Sequence, residues 1–240
     1  YLGVDHAGHR YGPDHPAMAA KLNEMDAVFR RMIEEIDDDT LLVVMGDHGM
    51  DAKGDHGGES DDEIQAALWM YSKRGDFGRV DPSFVLPPAH AKDRPVAQID
   101  LVPTLSLLLG LPIPFNNLGK PIDEAFVSAK GDGFENLAAV NRLASAQIHR
   151  YQGEYAKARG LDESTFSTSL SLWPAANEAW TSVFQRMSFG GSTAKGEQMK
   201  AAYKAFAAYQ QENLRICRSL WARFDVPRMI NGVLILGLSV

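Results

Sequence analysis

Apolar positions are spaced in two ways along the chain, and the change comes near residue 128. Before that point, short apolar runs alternate with stretches of helical period. "YLGV" (1–4) reads as a strand. From Pro16 to Ile36, the residues Leu22, Met25, Phe29, Met32, Ile33 and Ile36 recur three and four apart, which predicts a helix with one apolar face. Pro16 suits its first turn, where no backbone donor is required. "DDDT" (37–40) closes it, and "LLVVMG" (41–46) is a continuous apolar run of the kind found in a buried parallel strand. "SDDE" (60–63) fits a capping box, with Ser60 as the cap and Glu63 three residues on. "AALWMYS" (66–72) reads as another strand. "DLVPTLSLLLG" (100–110) predicts a helix that stops at Gly110 and cannot resume through Pro112 and Pro114. Alternation of strand and helix implies an α/β layered sheet.

From about 129 onward the pattern is helical and polar, rich in Ala, Gln, Lys and Glu, most clearly over 135–159 and 193–224. "MINGVLILGLSV" (229–240) is apolar again. A hydrocarbon core requires about 20 residues, so this run reads as the first half of a membrane span, with a terminal core strand as the alternative. The expected divisions are 1–128 for the α/β part, 129–228 for a helical segment, and 229–240 for the start of a transmembrane helix. The chain opens on Tyr1 with a strand-like run already under way, which reads as a segment of a longer protein.

Composition narrows the possibilities. Of 240 residues, 45% are hydrophobic and 23% charged, as in an ordinary folded protein with room for one large domain or two small ones. A net charge of −7 argues against a nucleic-acid partner, which would need a basic face. The single cysteine, Cys217, excludes an internal disulfide framework and a cysteine-based zinc site.

Histidine is unevenly spread. Five of the seven (His6, His9, His15, His48 and His56) lie in the first 56 residues. They fall in three clusters, "DHAGH" (5–9), "GDHGM" (46–50) and "GDHGG" (54–58). Asp5 follows "YLGV", and Asp47-His48 follows "LLVVMG"; open α/β sheets bind ligands beyond such strand ends. A carboxylate with an imidazole is a donor pair suited to zinc and similar divalent ions. Asp5 and His9 stand four apart across Gly8, so both can turn toward one ion on a tight loop. Gly49, Gly54, Gly57 and Gly58 let the backbone fold closely around the cluster. Any one Asp-His pair also fits a surface loop or a helix cap. Three of them at strand ends point to metal binding, because uncompensated buried charge is very costly. His149 stands alone on a helical stretch and reads as a surface or capped core residue.

In that order, "GVDHAGHRYGP", "LLVVMGDHGM" and "GDHGG" resemble the phosphodiesterase branch of the alkaline phosphatase superfamily. More narrowly, "DHAGHRYGPDHPAM", "DDDTLLVVMGDHGM" and "LWMYSKR" are similar to the glycosylphosphatidylinositol (GPI) ethanolamine phosphate transferases. Of their three types, the likeness is greatest to the one that modifies the third mannose; it is strong through 1–120 and weaker beyond. The resemblance implies the C-terminal half of an alkaline-phosphatase-like sandwich with a mostly parallel sheet. "QIDLVPTLSLLLGLPIP" (98–114) is similar to the superfamily's recurrent helix after the metal loops, with Asp100 and Thr104 structural.

The resemblance also implies two zinc ions. Asp5, His9 and His56 match the ligands of one, and Asp47 and His48 match two ligands of the other. Asp55 supports the loop or the ligands, while His6 and His15 flank the ligands and orient them or meet the substrate. The family draws a further aspartate and a nucleophilic threonine from an earlier strand and helix start, and no stretch of this chain matches that motif. Neither Thr40 nor Thr104 substitutes for it, so the chain by itself is expected to be inactive. The implied reaction moves phosphoethanolamine from phosphatidylethanolamine to the threonine, releasing diacylglycerol, and then to a mannose hydroxyl of the GPI precursor. The implied setting is the lumenal side of the endoplasmic reticulum membrane, with a small membrane partner subunit. Two alternatives stand beside this reading. One is a two-zinc nucleotide pyrophosphatase or phosphodiesterase; the other is an inactive truncated module that binds metal or a partner.

Overall fold

The structure is a computed structural model that describes residues 1–74, 95–127, 134–186, 192–221 and 226–238. It divides into two compact units, Tyr1–Asp76 and Phe77–Val240. The boundary expected at 128/129 lies outside the described residues.

The first unit opens with a correction. Tyr1–Val4 is not a strand, because Gly3–Tyr11 forms an α-helix, α1. Its amides bond back one turn, as in His6 N–H to the Leu2 carbonyl at 2.9 Å. Four apolar residues carry no period, and a run that short does not separate strand from helix. Helix α2 spans Pro16–Glu35, with Pro16 in its first turn as predicted. His15 caps it: its Nδ1 accepts the Ala17 N–H at 3.1 Å, and its ring stacks on Tyr11 with centroids 5.0 Å apart.

Two strands follow, β1 (Leu41–Met45) and β2 (Leu68–Ser72), with the one-turn helix α3 (Asp61–Ile64) between them. They pair antiparallel, with Leu41 opposite Ser72 and Met45 opposite Leu68. The mostly parallel sheet is therefore not what the described residues form; their sheet has two strands and is antiparallel. Parallel pairing needs a crossover, usually a helix long enough to run back along the strands. The single turn of α3 cannot do that, so the chain folds back as a wide hairpin. The Lys73 ammonium donates to the Glu34 carbonyl at 3.2 Å and to that of Ile36, and Arg74 pairs with Asp39. These contacts tie the end of β2 to the end of α2.

In the second unit, α4 (Leu101–Leu108) ends before Gly110, whose φ of 67° lies in the left-handed region. The buried Asp100 carboxylate accepts the Ala97 N–H at 3.1 Å and the Lys120 N–H at 2.9 Å. The Thr104 hydroxyl donates to the Asp100 carbonyl at 2.6 Å and accepts the Ile122 N–H at 2.8 Å. Both side chains thus fasten the ends of one segment, a structural role.

Helices α5 (Phe134–Arg159) and α6 (Ser167–Arg186) pack on α7 (Ser192–Trp221). Leu137, Ala138, Val183, Met199, Ala202 and Tyr203 form their core, with Phe126 and Val127 against it. The buried Tyr203 hydroxyl donates to Asp123 Oδ2 at 2.9 Å. Tyr203→Phe should destabilise this unit by about 1–3 kcal/mol, the cost of taking a donor from a buried acceptor. Urea denaturation followed by tryptophan fluorescence measures this, and an unchanged midpoint would remove the bond from the account. His149 is half-buried: its ring stacks on Trp173 with centroids 4.7 Å apart, and burial lowers its pKa.

The apolar run near the end forms helix α8 (Val226–Leu238), so the terminal-strand alternative does not hold. Its Met229, Ile230, Val233, Leu234, Ile235 and Leu236 are exposed. Among the described residues, no helix is long and apolar enough to cross a membrane.

Candidate metal centre

The centre lies in the first unit, where α1 meets the loop from β1 to β2. Asp5 and His9 are one turn apart on α1, so a helix face, not a tight loop, turns both the same way. Asp5 Oδ1 lies 3.3 Å from His9 Nε2. From the loop, His56 places its Nε2 3.4 Å from the same oxygen. The His48 ring lies against that of His56, with centroids 3.9 Å apart, and the His9 ring is 4.8 Å from that of His56. One ligand atom each from Asp5, His48 and His56 fall within 4.8 Å of one another.

Local geometry prepares these donors. His48 Nδ1 is 2.8 Å from the Gly49 carbonyl, which can only accept. Nδ1 is therefore the donor, so that in the neutral ring Nε2 is the nitrogen left to bind a metal. A metal-binding histidine is oriented in this way by the hydrogen bond its other nitrogen makes. Asp5 Oδ1 is buried and has no hydrogen bond. An oxygen so placed costs free energy unless something charged or protic satisfies it. One carboxylate oxygen and two imidazoles form a donor set that suits zinc. The residues present fit a divalent ion.

The loop is held by its own acids. Asp51 Oδ1 accepts the N–H groups of Lys53 and Asp55, each at 2.8 Å, and the Asp51 N–H donates to the Asp55 carbonyl at 2.9 Å. These amides, that of Asp55 foremost, hold the Asp51 carboxyl below the usual range. The predicted capping box forms at Ser60 and Glu63. Glu63 accepts from the Ser60 hydroxyl at 2.5 Å and from the Gly58 N–H at 2.8 Å, and those two bonds, in that order, lower its pKa. Gly54 sits at φ 88°, and a Cβ there would run into the Gly8 carbonyl of α1.

The remaining sequence-predicted residues stand around this group. Asp47 Oδ1 is 3.8 Å from His48 Nε2, with the Asp47 side chain 82% exposed. Asp55 is 77% exposed, its Oδ1 4.0 Å from His9 Nδ1. His6 is exposed on α1, and His15 serves as the cap of α2. The resemblance divides His48 and His56 between two ions, and the structure brings their rings together, tilted by 33° with centroids 3.9 Å apart. The loop-holding role of Asp51 was missed, though an aspartate two residues before a lysine and three before a glycine is a turn signal.

Residues 1–99 match the family model for type I phosphodiesterase / nucleotide pyrophosphatase. The first part of the chain is thus a phosphodiesterase-family domain. Over 237 residues the chain is 43% identical to GPI ethanolamine phosphate transferase 3 of Schizosaccharomyces pombe, covering 98% of this chain and 22% of that one. It is 36% identical over 247 residues to the catalytic subunit of GPI ethanolamine phosphate transferase 3 of Mus musculus, covering 99% and 21%. GPI ethanolamine phosphate transferase 2 of Kluyveromyces lactis is 46% identical over 132 residues, covering 52% and 17%. Along nearly its whole length the chain is similar to GPI ethanolamine phosphate transferases, and it spans about a fifth of the length of the curated relatives it matches. No solved structure matches it.

Proposed function

We propose that this chain is part of an enzyme that transfers phosphoethanolamine to a mannose of a GPI precursor. The observation that carries the proposal is the convergence of Asp5, His48 and His56 within a chain similar to such transferases along nearly its whole length. Phosphatidylethanolamine is the donor, and the third mannose is the acceptor. For the acceptor, the support is that type 3 relatives match 98% or more of the chain while the type 2 relative matches 52%. The enzyme works at the endoplasmic reticulum membrane with this part in the lumen, beside a small membrane partner subunit. The exposed apolar side chains of α8 support the start of a membrane segment there.

Asp5, His9 and His56 would hold one zinc ion, and Asp47 and His48 would contribute to a second. In support, two-metal phosphoryl-transfer sites keep their ions about 3.5–4 Å apart, so ligands of both belong in one tight group such as this. Bound zinc supplies positive charge for the phosphoryl oxygens and lowers the pKa of a coordinated hydroxyl. The chain's own residues do the rest: Asp5 offers the anionic oxygen, and the Gly49 carbonyl keeps His48 in the tautomer whose Nε2 is free. The nucleophilic threonine is supplied from outside residues 1–240.

The family description also names nucleotide pyrophosphatases, so one experiment should distinguish both reading and roles. In the full-length protein, Asp47→Asn should abolish rescue of a cell lacking the type 3 transferase. Asp55→Asn should keep a measurable share, because a residue that only supports ligands costs roughly 10–100-fold. Equal loss in both, with zinc content falling alike, would show that Asp55 is a ligand. Failure of the unaltered protein to rescue, together with hydrolysis of a nucleotide diphosphate ester, would favour the pyrophosphatase.

A further inference from the structure

His48 and His56 reach the centre on two arms of one loop, and no regular element lies between them. Their separation has to be set from elsewhere. Glu63 is bonded to both arms. Its carbonyl accepts the Gly49 N–H at 2.7 Å, and its carboxylate Oε1 accepts the Gly58 N–H at 2.8 Å. Gly49 directly follows His48 and also accepts from the His48 ring at 2.8 Å; Gly58 stands two residues after His56. A Cβ on Gly49 would meet the carbonyls of Asp62 and Gln65, so the His48 arm lies flat on α3. One residue of a single helical turn therefore fixes both imidazole-bearing arms, one through its backbone and one through its side chain.

We propose that Glu63 is a positioning residue for the metal centre, setting His48 and His56 side by side in addition to capping α3. This rests on the reading of Asp5, His48 and His56 as ligands. The two roles of Glu63 are separable, because they use different partners. The cap runs through Ser60, whose hydroxyl and N–H reach Glu63 Oε2 at 2.5 and 3.3 Å. The arm runs through Gly58 and Oε1. Ser60→Ala removes the hydroxyl bond and leaves Gly58 held. Glu63→Ala releases the His56 arm. Glu63→Gln keeps a carbonyl oxygen able to accept the Gly58 N–H.

The experiment uses the full-length protein and two measurements. Zn2+ affinity is read by chelator competition, and amide exchange over 56–60 is read on metal-free protein. Glu63→Ala should bind Zn2+ roughly 10–100-fold more weakly, the usual cost of removing a group that orients a ligand, and should exchange faster over 56–60. Glu63→Gln should recover most of the affinity, and Ser60→Ala should bind close to wild type. Affinity unchanged in Glu63→Ala, or lowered equally in Ser60→Ala, would overturn the proposal and leave Glu63 a cap alone. If the unaltered protein takes up no Zn2+, the metal reading fails, and exchange decides the positioning role by itself. Faster exchange in Glu63→Ala than in Ser60→Ala supports it, and equal exchange overturns it.

Discussion

Asp5→Ala should lower Zn2+ affinity by well over about 100-fold while leaving α1 helical. Removing a group that merely orients a ligand already costs roughly 10–100-fold, and Asp5 is more central than that. Its Oδ1 is within 3.4 Å of the Nε2 atoms of both His9 and His56. It supplies the negative charge of the three-residue group; the neighbouring Asp55 carboxylate is 77% exposed and 4.0 Å from His9. Without Asp5, neutral imidazoles alone would face a doubly charged ion. The substitution should not disturb the helix, since alanine is the strongest helix former. Chelator competition and circular dichroism together test this. Affinity that survives in a protein of normal helicity would sink the assignment of Asp5 as a ligand.

Gly54→Ala should destabilise the first unit by on the order of 3 kcal/mol, well beyond the same change at Gly57. A left-handed backbone costs a residue with a Cβ about 1–2 kcal/mol. Gly54 and Gly57 both carry that cost, with φ of 88° and 101°. At Gly57 an added Cβ meets nothing within 4 Å. At Gly54 it runs into the Gly8 carbonyl, which is backbone and cannot rotate aside. The loop must then lift from α1, carrying His56 away from Asp5. Denaturation midpoints for the two variants provide the comparison. Equal shifts would mean that the loop does not rest on α1 at this point.

Local signals account for most of what the sequence revealed. Helix α2 is legible to within one residue because Pro16 and the spacing of Leu22 through Ile36 act along one stretch of chain. The Ser60–Glu63 capping box and the Gly110 stop are equally local. By contrast, "YLGV" offers no period, and its residues enter α1. The direction of β1 against β2 depends on what joins them, and α3 is too short to carry a parallel crossover. Within the candidate site, Asp5, His9, His48 and His56 stand out as residue types in a repeated pattern. Which ring faces which does not, because that depends on how Asp51 and Glu63 close the loop. The Tyr203–Asp123 bond joins positions 80 apart, a distance no local pattern encodes.

The first unit keeps few apolar side chains from water: of its described residues, only Ala7 and Met18 belong to the buried hydrophobic set. A fold with so small an interior gains little from burial. Asp5 belongs to its first helix, and His56 to the far side of β1, so an ion shared between them would act as a cross-link between segments distant in the chain. A ligand that binds only the folded form adds about 2.7 kcal/mol at 100 times its dissociation constant, a large fraction of the stability of a small unit. The quantity of correctly folded protein would then rise and fall with the zinc supply of its compartment, before any substrate is met.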